Sequence, residues 1–234
     1  MNSRETVYLV PGLLCDETVW AAQIERLSDT FDVRVANTRG CSSITEMAKR
    51  VLDEAPPRFN LAGHSMGARV ALEIYRNAPE RVKRIAIMDT GVHPRNENEV
   101  AGRMRFVNIA QEQGMAALAR AWALPMVGER CQRDESFMAS IYTMVEGYTL
   151  ADYQGQIKAL LDRPDAESVV RNVACPALVL VGADDAWSPP AQHQPIVDAI
   201  ADALYVIVDD AGHMAPMEQP EAVTDAMLEW LQMG

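Results

Sequence analysis

Three side chains, far apart in the chain, could together make an alcohol reactive. Ser65 lies in Gly63-His64-Ser65-Met66-Gly67, between an apolar run, Phe59-Asn60-Leu61-Ala62, and a stretch that carries Val70, Ala71, Ile74 and Tyr75 at helical spacing. A serine hydroxyl is a poor nucleophile until a neighbouring base takes its proton, and a sharp strand-to-helix turn lifts the oxygen clear of the backbone toward such a base. Gly63 and Gly67 leave room for that turn. An acid and a base follow in order, Asp185 in Gly182-Ala183-Asp184-Asp185 and His213 after Asp209-Asp210-Ala211-Gly212. Each comes just after an apolar run that reads as a strand. Loops at the C-terminal ends of parallel strands share one sheet edge, so residues distant in sequence can converge there. Ser65, Asp185 and His213 are therefore the expected catalytic group, with Asp184 and Asp89 as the other candidates for the acid.

The elements that must hold this group alternate. Thr6–Val10, Val33–Ala36, Phe59–Ala62 and Ile85–Met88 read as strands, separated by helical stretches. Asp16 is a helix cap before Trp20, Ile24 and Leu27, and Ser43 with Glu46 has the spacing of a capping box before a helix that Pro56 and Pro57 end. Strands alternating with helices imply a parallel sheet covered on both faces. From residue 93 to residue 165 the strand signal stops, and Met104, Phe106, Met115, Leu118, Trp122, Met138, Ile141 and Tyr142 are scattered through helix-forming sequence. Strands resume at Ala177–Val181 and Leu204–Val208, and Val223, Met227, Trp230 and Leu231 line one side of a closing helix. The expected organisation is a core of residues 1–92 and 166–234, with a helical cap, 93–165, inserted between the fourth and fifth strands.

The chain has 234 residues, 49% hydrophobic and 23% charged, the balance of an ordinary globular protein. A formal charge of -12 argues against nucleic acid or an anionic membrane as partner. Cys15, Cys41, Cys131 and Cys175 form no closely spaced pair and read as free buried thiols. No metal-ligand cluster, phosphate loop or dinucleotide fingerprint accompanies the serine, so no cofactor and no metal is expected. Without a hydrophobic leader or a stretch long enough to span a bilayer, the reading is cytoplasmic, with a small molecule as the partner.

Taken together, Gly63-His64-Ser65-Met66-Gly67, Gly182-Ala183-Asp184-Asp185 and Gly212-His213-Met214-Ala215-Pro216-Met217-Glu218 make the chain resemble an α/β-hydrolase over essentially its full length. The serine turn is similar to that family's nucleophile elbow. The resemblance implies that His213 takes the proton of Ser65 and later gives it to the leaving group, while Asp185 orients and stabilises the imidazolium. It also implies an oxyanion hole formed by the backbone N–H of Met66, the residue after the nucleophile, and that of Leu13, which follows Gly12 in the loop after the first strand. Many relatives have His-Gly where this chain has Pro11-Gly12. The expected sheet is six-stranded and parallel, in order 2-1-3-4-5-6, without the antiparallel hairpin that opens larger relatives.

Arg69, four residues after the serine, reads either as a helix arginine paired with an acid or as a carboxylate anchor resembling that of the cofactorless synthase of menaquinone assembly. Trp20, Trp122 and Trp187 are candidates to line a substrate pocket, with core packing as the alternative. His64 reads as a loop residue beside the turn, His93 as a residue at the junction with the cap, and His193 as a surface residue. The leading expectation is hydrolysis of a small ester, lactone or related acyl compound through an acyl-enzyme. The alternatives are a cofactorless C–C hydrolase or elimination synthase on a carboxylated substrate, and a hydrolase-like receptor for a small ligand. Oligomeric state is not legible in the sequence.

Overall fold

The computed structural model describes residues 4–234. Six strands, β1 (Thr6–Val10), β2 (Asp32–Val35), β3 (Phe59–His64), β4 (Val82–Met88), β5 (Ala177–Gly182) and β6 (Ala203–Val208), form one sheet in the order β2-β1-β3-β4-β5-β6. Every neighbouring pair is parallel. β1, β3 and β5 are buried at every position, which is why they read as continuous apolar runs rather than alternating ones. β2 and β6, the two edges, are only partly buried.

Helices α1 (Ala21–Leu27), α2 (Ile44–Glu54), α3 (Met66–Asn77), α10 (Pro190–Ala199), α11 (Ala215–Glu218) and α12 (Pro220–Gln232) follow the strands. α2 packs on α3, and α3 on β1, β3 and β4, while α12 packs on α1 and on β4, β5 and β6. Val223, Met227, Trp230 and Leu231 are buried on the sheet side of α12, and Trp230 Nε1 donates to Pro176 O at 3.3 Å. The caps differ in detail from the sequence reading. Ser43 Oγ accepts from Glu46 N, but the Glu46 carboxylate turns back to Ser42 N, one residue before the cap. Asp16 caps a short 3₁₀ turn, Glu17–Trp20, ahead of α1.

Between β4 and β5 the chain is helical: α4 (Glu99–Gln113), α5 (Met115–Ala123), α6 (Glu129–Gln132), α7 (Glu135–Glu146), α8 (Leu150–Leu161) and α9 (Glu167–Val170). α5 packs between α4 and α7, and α4 also meets α8. Leu118, Trp122, Ile141, Val145 and Tyr153 bury the inner faces of these helices. All four cysteines are free; Cys15, Cys41 and Cys131 are buried and Cys175 is half-buried. Among the described residues no helix is long and apolar enough to cross a membrane.

Candidate active site

Parallel pairing sets the floor of the site. Val10 lies opposite Gly63, and His64 opposite Met88, so the loops after β1, β3 and β4 leave the same edge side by side. β3 runs two residues further than the sequence suggested, to His64, and Ser65 then takes φ 56°, ψ -116° before α3 begins at Met66. That is a conformation in which a residue other than glycine is strained by roughly 1–3 kcal/mol. The strain is held by Ser65 N donating to Met88 O at 2.8 Å and by close backbone approach on both sides. A Cβ on Gly67 would overlap Val10 O, and one on Gly63 would overlap Gly67 O, so neither position admits a side chain.

The turn aims Ser65 Oγ at His213. Oγ is 2.8 Å from His213 Nε2, and His213 Nδ1 is 2.8 Å from Asp185 Oδ2. Asp185 is buried, and its other oxygen accepts from Trp187 N at 2.9 Å and Ser188 N at 2.8 Å. Burial alone would push this carboxyl up, but the adjacent His213 and the two amides outweigh it and hold it below its ordinary value. An ionised, fully hydrogen-bonded carboxylate fixes the imidazole with its proton on Nδ1 and leaves Nε2 to accept from the serine. The other acids stand elsewhere. Asp184 is exposed. Asp89 is buried at the end of β4, where Oδ1 accepts from Gly182 N at 3.0 Å and Oδ2, 3.7 Å from His64 Nε2, has no hydrogen bond among the described residues. Burial, and then the charge of Asp185, hold Asp89 well above the usual carboxylate range.

His213 is fixed by its backbone as well as by its ring. His213 N donates to Met126 O at 2.9 Å, in the segment between α5 and α6. His64 Nε2 donates to His213 O at 2.7 Å, which puts that ring's proton on Nε2 and leaves Nδ1 bare. His64 is thus a fully buried strand residue, not a loop residue, and burial followed by the nearness of His213 lowers it to about 3, so it is neutral. Glu218 supplies the last support: Oε1 accepts from Gly212 N at 3.0 Å and Met214 N at 3.1 Å, and Oε2 from Gly128 N at 2.7 Å. Glu218 closes the run Gly212–Glu218 quoted above, but nothing in that run gives it a role. Its only signal is the placement of an acid five residues after the histidine.

Leu13 and Met66 each line the cavity, and neither backbone N–H has an acceptor within the described residues. Met66 is the first residue of α3, where helix geometry leaves an amide unsatisfied. Behind Leu13, the loop is pinned from α8: Gln156 Oε1 accepts from Leu14 N at 2.9 Å, and Gln156 Nε2 donates to Thr38 Oγ1 at 3.1 Å. Tyr148 Oη donates to Cys15 O at 2.5 Å. Gly12 makes a close approach here, because a Cβ would sit 3.0 Å from His64 Nδ1 and 3.2 Å from Ser65 Cβ, so those groups would have to give by a few tenths of an ångström. Pro11-Gly12 therefore brings the loop close against the serine turn.

Above these groups is a cavity of about 310 Å³. Trp122, Met126 and Leu160 give it an apolar wall from the helices between β4 and β5, and Trp187, 41% exposed, stands at its rim. Trp20 does not reach it. That ring is fully buried behind the site, edge-on to His64 at 6.1 Å between centroids, as core packing. Arg69 does reach the cavity, is not paired with an acid among the described residues, and donates from Nη2 to His93 O at 3.1 Å. His93 lines the cavity beside it. His193 is not at the surface: it is fully buried, and Nε2 accepts from Thr90 N at 2.9 Å, tying α10 to the end of β4. Among the described residues no group of His, Cys, Asp and Glu could hold a metal ion.

Residues 7–226 match the family model described as "Alpha/beta hydrolase family". The (E)-2-((N-methylformamido)methylene)succinate hydrolase of Acinetobacter baylyi is 26% identical over 248 residues, covering 97% of this chain and 90% of that protein. A thermophilic esterase from Thermogutta terrifontis, with malate bound, superposes with a TM-score of 0.88 at 29% identity, covering 98% and 90% of the two chains. The enol-lactonase of Burkholderia xenovorans LB400 does so with 0.89 at 26%, covering 99% and 93%.

Proposed function

The chain belongs to the alpha/beta hydrolase family, and we propose that it hydrolyses a small ester, lactone or related acyl compound through an acyl-enzyme on Ser65. The observation that carries this reading is the chain of two 2.8 Å contacts from Ser65 Oγ through the imidazole of His213 to Asp185. In this mechanism Nε2 of His213 takes the hydroxyl proton as Oγ attacks the carbonyl carbon. Asp185 stabilises the imidazolium so formed. The tetrahedral oxyanion is met by the amides of Leu13 and Met66, donors of a kind whose individual loss costs about 3–4 kcal/mol of barrier. His213 then protonates the leaving oxygen, and water, deprotonated by the same nitrogen, releases the acid. That an esterase and an enol-lactonase are among the similar structures supports an oxygen leaving group.

A Ser65→Ala variant assayed on short p-nitrophenyl esters tests the reading. Loss of such a nucleophile costs on the order of a million-fold in kcat; unchanged turnover overturns the proposal. Elimination or C–C cleavage would use the same groups with His213 as base, and Arg69 facing the cavity favours it. Acid quench, digestion and mass measurement of the Ser65 peptide separate the two, since ester hydrolysis adds the acyl mass to that peptide and elimination adds none.

A further inference from the structure

The cavity above Ser65 has a charge opposite to that of the protein around it. The chain carries a formal -12. Yet the charged side chains lining the cavity are Arg69, Arg103 and Arg163 against Glu99 alone, so two positive charges there lack a carboxylate of their own. They come from separate elements: Arg69 from the first turns of α3, Glu99 and Arg103 from the start of α4, and Arg163 from just beyond α8. Glu99 is fully engaged. Its two oxygens take Arg163 Nη1 at 2.7 Å and Nη2 at 2.8 Å, and Oε1 also takes Arg103 Nε and Nη2, each at 2.9 Å. Nε and Nη1 of Arg69 and Nη1 of Arg103 have no acceptor among the described residues, and Arg163 Nε, buried, has none either.

Arg69 is only 8% exposed. Taking a guanidinium out of water without a counter-ion is costly, and a purely structural arginine is normally given a carboxylate in compensation. Here burial, and then the repulsion of Arg163, lower its hold on its proton to about 9. An anion arriving in the cavity relieves both effects. A guanidinium fork fits a carboxylate in two parallel hydrogen bonds.

Resting on the serine-hydrolase reading above, we propose that Arg69 and Arg103 bind a carboxylate at the far end of the acyl group, so that the preferred substrates are half-esters or carboxylated lactones of short dicarboxylic acids. Arg69 lies four residues past Ser65, about 6 Å along the helix at 1.5 Å per residue, which suits acids of about four to six carbons. Hydrolysis then adds water across the acyl–oxygen bond, releasing an alcohol and a dicarboxylate from a half-ester, or one hydroxy- or oxo-dicarboxylate from a lactone, with the distal carboxylate unchanged. Glu99 does not compete for this position, because its own oxygens are occupied by Arg163 and Arg103. It holds two of the three arginines in place.

The test compares kcat/KM for monomethyl glutarate with that for methyl pentanoate, its uncharged counterpart. The wild-type protein should prefer the half-ester by about tenfold to a hundredfold, the range of a charge-assisted hydrogen-bonded pair. Arg69→Met should cut that preference by tenfold or more, and Arg69→Lys should keep part of it. Equal or better turnover of methyl pentanoate by the wild-type protein overturns the carboxylate site while leaving ester hydrolysis standing. In parallel, Ser65→Ala is titrated calorimetrically with glutarate and with glutaramide, and only glutarate should bind, with Arg69→Met in the same background abolishing it. Equal binding of the two overturns the proposal without recourse to turnover. If glutarate binds through Arg69 but neither ester is cleaved, the anion site stands and the hydrolase reading fails.

Discussion

Replacing Glu218 by glutamine should slow the enzyme while leaving it folded. The carboxylate accepts three backbone N–H groups, two on Oε1 from Gly212 and Met214 and one on Oε2 from Gly128. A glutamine has one oxygen for those three donors. Its better orientation keeps Gly212 and Met214 and turns NH₂ toward Gly128 N–H, which stands 2.7 Å from the present oxygen, so a bond is exchanged for two donors face to face. A buried donor left unmade costs about 1–3 kcal/mol. Part of this is offset, since burial already pushes the Glu218 carboxyl up and the neutral amide escapes that penalty. A net loss of about 1–2 kcal/mol corresponds to roughly 2–8 °C in Tm for a chain of this size. Glu218 does not line the cavity. The bond lost is the one to Gly128, two residues from Met126, whose carbonyl accepts from His213 N at 2.9 Å, and a displacement of that segment should lower kcat about tenfold with KM little changed. Thermal unfolding and steady-state kinetics on a p-nitrophenyl ester read both effects. A variant with lowered Tm and unaltered kcat would refute the positioning role and leave Glu218 a staple of the fold.

Two further outcomes follow from the same geometry. Gln156→Leu should orphan Leu14 N behind the Leu13 amide, costing about 1–3 kcal/mol in urea unfolding and lowering kcat more than it raises KM; unchanged kcat would refute a link from α8 through the Leu13 loop to the reaction. Glu99 is raised by burial but brought down further by Arg163 and Arg103, to about 2 from an ordinary 4.5. A depressed carboxyl stabilises the fold above its unfolded value and loses that contribution as pH falls through its folded one. The stability gap between the wild-type protein and Glu99→Gln should therefore close as pH drops from about 4.5 toward 2, and a gap independent of pH over that window would refute the ion-pair account.

The sheet was legible because its strands carry the simplest signal a sequence has. β1, β3 and β5 are buried on both faces, so nearly every residue is apolar, and each is followed by glycine or a turn residue. Ser65, Asp185 and His213 were legible for a related reason: each lies just beyond a strand end, and parallel strands bring those ends to one edge. What was lost is what depends on depth. Whether His193 faces water or packs against Thr90 turns on how α10 lies on β5, and nothing in an isolated histidine encodes that. The same holds for Trp20, where an aromatic at helical spacing fits core and cavity equally well. Arg103, Arg163 and Glu99 were not singled out, because 60 residues separate Arg103 from Arg163 and their meeting depends on how α4 packs against α8.

The helices between β4 and β5 act on the site in two separable ways. Gln156, Tyr148, Met126 and Gly128 hold the loops that carry Leu13 and His213, so they govern whether the reacting groups stand in register. Arg103, Glu99, Trp122 and Leu160 face the cavity, so they govern what is held there. Gln156, Tyr148 and Met126 bond backbone atoms directly and Gly128 does so through the Glu218 carboxylate, contacts that are the same whatever substrate is present, whereas the second group presents side chains. Substitutions in the first group should therefore lower kcat for every ester in proportion, and those in the second should change the ratio between esters. Two residues link them: Met126 accepts from His213 N through its carbonyl while also lining the cavity, and Arg163 enters the cavity yet also donates to Leu160 O at 2.8 Å and to both oxygens of Glu99. Altering Arg163 loosens the end of α8 and the start of α4 together. Specificity and stability are coupled at that residue, while at Arg69, bound to the protein by a single hydrogen bond, they are free to change apart.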